Sequence, residues 1–216
     1  MEKIDSCRKR GRPREFDVDA ALDAALLIFW RHGYEGSSLT DLTGAMGITR
    51  PALYTAFGNK EALYIEAMNR YSGRKTEQLA KALELPTARA GVERLLINMV
   101  DGLTAGVNPA GCFLVVTAMT CGPDSQPVQD AAAACRRQSA VPALLARFDR
   151  AVDDGDLPEG TDTTGLAVYV STVMQGLAVQ AASGVGRDEL HRAVAIALRA
   201  FPALAETLGS VGVEGV

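Results

Sequence analysis

The chain has little of the material from which most active sites are built. Among its 216 residues there are two histidines, His32 and His191, and four cysteines, Cys7, Cys112, Cys121 and Cys135. Two histidines at no ligand spacing leave little for a metal centre or for general-base chemistry. No paired-carboxylate motif, Ser/His/Asp grouping, phosphate loop or dinucleotide fingerprint is present. The expectation is therefore no enzyme, no catalytic residue, no bound metal and no cofactor. Four unevenly spaced cysteines do not make a disulfide framework, which fits a reducing cytoplasm. Long apolar runs are missing too: the longest, residues 24–30, has seven residues, against about 20 for a bilayer span. No apolar segment follows the charged N-terminus as it would in a signal peptide. A cytoplasmic protein without a membrane partner is expected.

Aromatic residues make up only 6%, while alanine occurs 34 times, and this balance favours packed helices over sheets. The hydrophobic share of 48% and charged share of 22% are those of an ordinary globular chain. Its length suits one or two domains. The net charge of −4 hides an asymmetry. Residues 1–14 carry six basic and two acidic side chains, whereas residues 61–216 carry 13 basic and 18 acidic ones. A basic tail on an acidic body marks an electrostatic contact surface at one end, or a solvated tail with no partner. Composition does not choose between them.

Apolar periodicity then sets out the helices. Val18, Leu22, Ala25, Leu26 and Phe29 recur at three and four, the stripe of an amphipathic first helix. Asp17 or Asp19 can begin it and Gly33 can end it. Ser38 or Thr40 can cap a short second helix that stops at Gly47. Thr49 can cap a third, with Pro51 tolerated in its first turn. Asn59 can cap a fourth, which opens with Glu61 in the favoured acidic position. Longer helical stretches follow, with breaks at Pro86 and at residues 106–111, 122–127, 153–160 and 183–186. Pro142 falls inside one such stretch and should kink or split it. The last residues, 209–216, should fray.

Residues 39–58, LTDLTGAMGITRPALYTAFG, have the layout of a helix-turn-helix. Leu42, Met46, Ile48 and Leu53 are spaced to form the small core between two short helices, with Gly47 at the turn. At about 100° per residue, Leu53 and Phe57 share the buried face of the second of these helices. Pro51, Tyr54 and Thr55 then face outward, flanked by Arg50 and Ala52. Such a face can approach a major groove closely and still reach bases and phosphates.

Over residues 11–68 the chain resembles the DNA-binding domain of TetR-family transcriptional regulators. The resemblance rests on Phe29, Gly33–Tyr34, Ser38-Leu39-Thr40, Gly47–Ile48, Leu53–Tyr54, Phe57 and the run Asn59-Lys60-Glu61-Ala62-Leu63. Thr43 departs from the alanine usual there, and a slight repacking is expected. The resemblance implies that Thr49, Arg50, Pro51, Ala52 and Thr55 meet base edges or methyl groups. It implies that Tyr54, Lys60 and Thr40 hold phosphates, and that Arg12 and Arg14 of the arm Gly11-Arg12-Pro13-Arg14 enter a minor groove. The organisation it implies is all-α: a basic arm over 1–14, a three-helix DNA-binding domain over 15–60 and a helical ligand-binding and dimerisation domain over 61–216. The partners implied are a double-stranded operator with an inverted repeat, a second copy of the chain and a small-molecule inducer.

In that family the last two long helices pair with those of a second subunit. Leu166, Val170, Val173, Leu177 and Ala181 form one suitable stripe, and Leu190, Val194, Leu198 and Phe201 another. A ligand pocket is expected among Met99, Leu103, Phe113, Val116, Met119, Phe148, Tyr169, Met174 and Gln175, mostly apolar with a few polar groups. The sum is a repressor released from DNA by a small apolar or aromatic ligand. Two alternatives stand beside it, a DNA-binding regulator without inducer and a thiol sensor acting through Cys112. Cys112 is placed to open a helix, where the macrodipole lowers a thiol pKa. Nine residues along one straight helix would put Cys121 about 13 Å away, too far for a disulfide.

Overall fold

The computed structural model describes residues 16–106, 108–109, 111–115, 126–137 and 140–201. The basic arm with Arg12 and Arg14, together with Val116, Met119 and Cys121, lies outside the described residues. Among the described residues every regular element is helical. The order is α1 (Val18–Gly36), α2 (Leu39–Met46), α3 (Arg50–Phe57), α4 (Lys60–Leu83), α5 (Ala88–Thr104), α6 (Gln126–Arg137), α7 (Val141–Asp153), α8 (Thr163–Ala182) and α9 (Arg187–Arg199).

Each of the first four helices opens on a side-chain cap. The Asp17 carboxylate accepts from the Asp19 and Ala20 amides, the Ser38 hydroxyl from Asp41, the Thr49 hydroxyl from Ala52 and the Asn59 carbonyl from Ala62. These contacts satisfy amides that the helix itself leaves without partners. Ser38 and Asp41 form a reciprocal capping box, and the Ser38 hydroxyl holds the Asp41 carboxyl below the usual carboxylate range. Gly47 turns the chain between α2 and α3 at φ 64°, a left-handed conformation that a side chain would disfavour. Gly33, where the sequence suggests the end of the first helix, sits at φ 70° as a kink, and helical residues continue to Gly36. Pro142 splits its stretch as expected, standing in the first turn of α7 where no helical N–H is lost.

Two apolar clusters organise the molecule. The N-terminal one joins α1, α2 and α3 to the first three turns of α4, through Leu26, Phe29, Leu42, Leu53, Tyr64 and Met68. It therefore runs past residue 60, to Tyr71. It also takes in Phe113, Val128 and Cys135 from the other half of the chain. Phe113 is fully buried, with its ring centroid 5.9 Å from Trp30, 5.8 Å from Tyr64 and 5.6 Å from Tyr71. The second cluster packs the end of α4 with α5, α7, α8 and α9. α8 has the length and composition to cross a membrane, and its Leu166, Ala167, Val170, Leu177, Ala178 and Ala181 are buried in this second cluster.

α4 belongs to both clusters and is tied at each. Near its middle Arg70 grips Asp23 of α1 with two hydrogen bonds of 2.7 and 3.1 Å and reaches Asp19 at 2.6 Å. Arg74 adds a contact to Asp23 at 2.8 Å. At its far end the buried guanidinium of Arg147 donates to the carbonyls of Leu83, Leu85 and Pro86 and reaches Asp156 at 3.5 Å. The Leu83 carbonyl ends α4 and has no helical donor of its own, and those of Leu85 and Pro86 belong to the turn that follows.

Candidate nucleic-acid interface and ligand cavity

α3 is held by its inner face and offers its outer one. Leu53 and Phe57 are buried, which follows from their spacing of four. Arg50, Pro51, Tyr54 and Thr55 are exposed, with Ala52 half-buried between them. Tyr54 leaves 48% of its surface free, a large exposure for an aromatic ring. Arg50 is oriented by its neighbour helix: one Nη2 donates to Thr40 Oγ1 at 2.8 Å. Among the described residues the other four guanidinium N–H groups meet no acceptor, and they can serve one outside the protein. The Thr55 hydroxyl donates back to the Pro51 carbonyl at 2.8 Å, leaving its methyl group presented.

Lys60 opens α4 beside this face, its Nζ 4.5 Å from the centroid of the Tyr34 ring. Burial holds the ammonium below its ordinary pKa, and the Glu35 carboxylate opposes that shift. The Thr43 hydroxyl donates to the Leu39 carbonyl at 2.8 Å and to Thr40 at 3.3 Å. That internal bonding lets a threonine sit on α2 with its polar atom satisfied. Thr40, Thr49, Arg50, Pro51, Tyr54 and Thr55 are exposed and Lys60 is half-buried, so they offer one polar surface on α2, α3 and the start of α4.

A cavity of about 190 Å³ opens between α4, α5, α6, α8 and the segment 111–115. Met99, Leu103 and Met174 line it. The structure brings together these three of the residues anticipated for a pocket, and puts four others elsewhere. Phe113 lies in the N-terminal cluster, and Phe148 is buried edge-on to Phe201 at 5.7 Å. The Tyr169 hydroxyl donates to the Ala197 carbonyl at 3.2 Å, tying α8 to α9. Gln175 is exposed and turns its amide to Ser171. Large apolar residues serve a core as readily as a pocket, and composition does not separate the two.

Sequence reasoning missed the α4 wall of this cavity: Tyr71, Ser72, Lys75, Thr76, Gln78 and Leu79. Their one-face spacing is visible in the sequence, yet their mixed polarity reads as solvated surface. Cys112 and Cys135 also line the cavity. The Tyr71 hydroxyl donates to Cys112 Sγ at 3.3 Å. Its phenol is pushed far above its ordinary pKa, chiefly by burial and then by the neighbouring thiol. Burial likewise pushes the Cys135 thiol up, against a hydrogen bond with Ser72.

The stripes anticipated for a partner subunit face inward. Leu166, Val170, Leu177, Ala181, Leu190, Val194, Leu198 and Phe201 are buried within their own subunit, with Val173 packed against them. An apolar stripe shows that a face will be covered but not by what. On the outward sides of α8 and α9 the exposed large apolar residues are Val168, Val179 and Ile196.

Residues 21–67 match the bacterial regulatory proteins of the tetR family, and residues 88–198 match the tetracyclin repressor-like C-terminal domain. The chain is 33% identical over 202 residues to the HTH-type transcriptional repressor ComR of Escherichia coli, covering 91% of this chain and 94% of that protein. It is 30% identical over 192 residues to the HTH-type transcriptional regulator YezE of Bacillus subtilis, covering 87% and 97%. A solved structure of a cysteine-substituted TetR family regulator, CifR, in complex with 26-bp double-stranded operator DNA, superposes with a TM-score of 0.82 at 44% identity, over 88% of this chain and all of that one. Matched in both halves by sequence, and over most of its length by structure, the chain belongs to the TetR family of DNA-binding transcriptional regulators.

Proposed function

We propose that the protein is a homodimeric repressor that grips an inverted-repeat operator and is released by a small molecule bound in the cavity between α4, α5 and α8. The observation that carries the DNA half is the exposed outer face of α3, with Arg50 oriented by Thr40. In this reading Thr49, Arg50, Pro51, Ala52 and Thr55 read the major groove. Tyr54, Lys60 and Thr40 hold phosphates, and Arg12 and Arg14 follow a minor groove. Val168, Val179 and Ile196 form the apolar centre of the face that meets the second subunit.

α4 is the lever. Its first residue carries Lys60, its middle is clamped to α1 by Arg70, and the same middle supplies Tyr71 to the cavity wall. A ligand that displaces Tyr71 therefore acts on the helix that positions α3, with the far end held by Arg147. A hundredfold loss of operator affinity requires a differential of about 2.7 kcal/mol between the two states, within reach of a few contacts.

Footprinting on upstream DNA tests the DNA half and should reveal a protected palindrome with half-sites about one helical turn, roughly 34 Å, or a small multiple apart. Arg50→Ala should lower operator affinity by about 1–3 kcal/mol and relax preference at one base pair per half-site, while Lys60→Ala should weaken all sequences alike and flatten the salt slope. Absence of any protected palindrome overturns the reading. The position of Cys112 on the cavity wall also favours a second reading, a thiol sensor. Cys112→Ser should then abolish release by a thiol-alkylating reagent such as N-ethylmaleimide, and unchanged release ends that reading.

A further inference from the structure

The charge pattern along α4 points to the chemical class of the cavity's ligand. Arg70 and Arg74 are paired with Asp23, and Lys81 with Glu77 at 2.7 Å. Lys75, half-buried on the cavity wall, has no carboxylate within ion-pair distance among the described residues. Its Nζ lies 5.6 Å from the Tyr71 ring centroid and 3.4 Å from Gln78 Oε1. Among the described residues that line the cavity it is also the one charged side chain. A lysine on a mostly apolar wall, with only neutral partners at its Nζ among the described residues, favours an anion.

We propose that the cavity selects small apolar carboxylates, with the carboxylate paired to Lys75 and the hydrocarbon body against Leu95, Met99, Leu103 and Met174. This rests on the effector-binding reading above and narrows it. Thr76 and Asn98 line the same cavity and bring further hydrogen-bond donors to it. A lysine provides a point charge instead of a fork, so it selects for charge and leaves the shape to the apolar wall. That wall bounds the size: about 190 Å³ is only a little more than the roughly 150 Å³ of an apolar cavity that takes up benzene.

The test is calorimetric titration of the full chain with matched acid and amide pairs, benzoate against benzamide and hexanoate against hexanamide, near neutral pH. The acids should bind about tenfold or more tightly than their amides, an advantage of about 1.4 kcal/mol or more. Lys75→Gln should bring acid and amide to equal affinity, and Lys75→Arg should retain most of the preference for the acid. Equal binding of acid and amide, a preference that survives in Lys75→Gln, or no acid binding at millimolar concentration overturns the proposal. Operator retention in gel shifts with the same probes separates the two readings. An amide that releases DNA sinks the carboxylate class and leaves effector control standing. An acid that binds through Lys75 but leaves DNA bound supports the site and sinks its use as an inducer.

Discussion

The two halves of the molecule are built by different kinds of instruction. In the N-terminal half each helix carries its own start signal, Asp17, Ser38, Thr49 or Asn59, two or three residues from the amide that it caps. In the C-terminal half Thr87 and Asp162 cap α5 and α8 in the same local way, but longer ties are added to them. Arg147 reaches carbonyls 61 to 64 residues away, Arg187 hydrogen-bonds Thr104 across 83 and Arg89 donates to the Leu198 carbonyl across 109. A surface that must dock on a fixed partner such as DNA benefits from locally specified geometry. The cavity, by contrast, is enclosed by helices that meet from distant parts of the chain. Phe113 joins the two regimes, since it comes from the second half and completes the core of the first.

The strongest way to break this comparison is to remove that ring. Phe113→Ala should destabilise the protein by about 3–5 kcal/mol, the range for deleting a buried aromatic side chain that leaves a cavity. Trp30, the single tryptophan, stacks obliquely on the same ring at 5.9 Å. Its emission therefore reports the N-terminal core while far-UV circular dichroism reports all helices. The two probes should shift together to a lower urea midpoint. A loss below about 1 kcal/mol, or a Trp30 transition that stays in place while the helices melt early, would show that the N-terminal core stands without the second half.

Legibility follows the same division. The capping residues, the Gly47 turn and the exposed row on α3 are readable because each depends on spacings shorter than a helix turn or two. The all-helical class is readable from composition and periodicity. The cavity is not, because Lys75 and Ser72 look like solvated surface until α5 and α8 close over them. Phe148 and Tyr169 show the converse: both have the composition of a pocket wall, yet one fills the core and the other ties two helices together. Arg147 gave no signal as a buried residue, since its partners are backbone carbonyls that no side-chain pattern reveals. The stripes of α8 and α9 were visible as apolar faces, but periodicity leaves open which surface covers them.

A smaller effect sharpens the comparison from the N-terminal side, at the clamp between α1 and α4. The Asp23 carboxyl is held below its ordinary range chiefly by the hydrogen bond from Arg70, with Arg74 assisting and burial opposing. A carboxyl whose folded pKa is depressed contributes stability that is fully present above its unfolded value of about 3.9. That contribution fades as pH falls from there through the lower folded value. The Asp23 side chain is 39% exposed, so solvent screens the pair and its contribution should be about 0.3–1 kcal/mol. Urea unfolding of wild type and Asp23→Asn should therefore differ by a constant amount between about pH 5 and 7 and converge below about pH 4. Added salt should shrink the gap at neutral pH, because part of this interaction is open to solvent. A difference that persists undiminished in acid would mean that Asp23 acts through packing or its neutral hydrogen bonds. The clamp that joins α1 to α4 would then hold by shape and neutral hydrogen bonds, without help from charge.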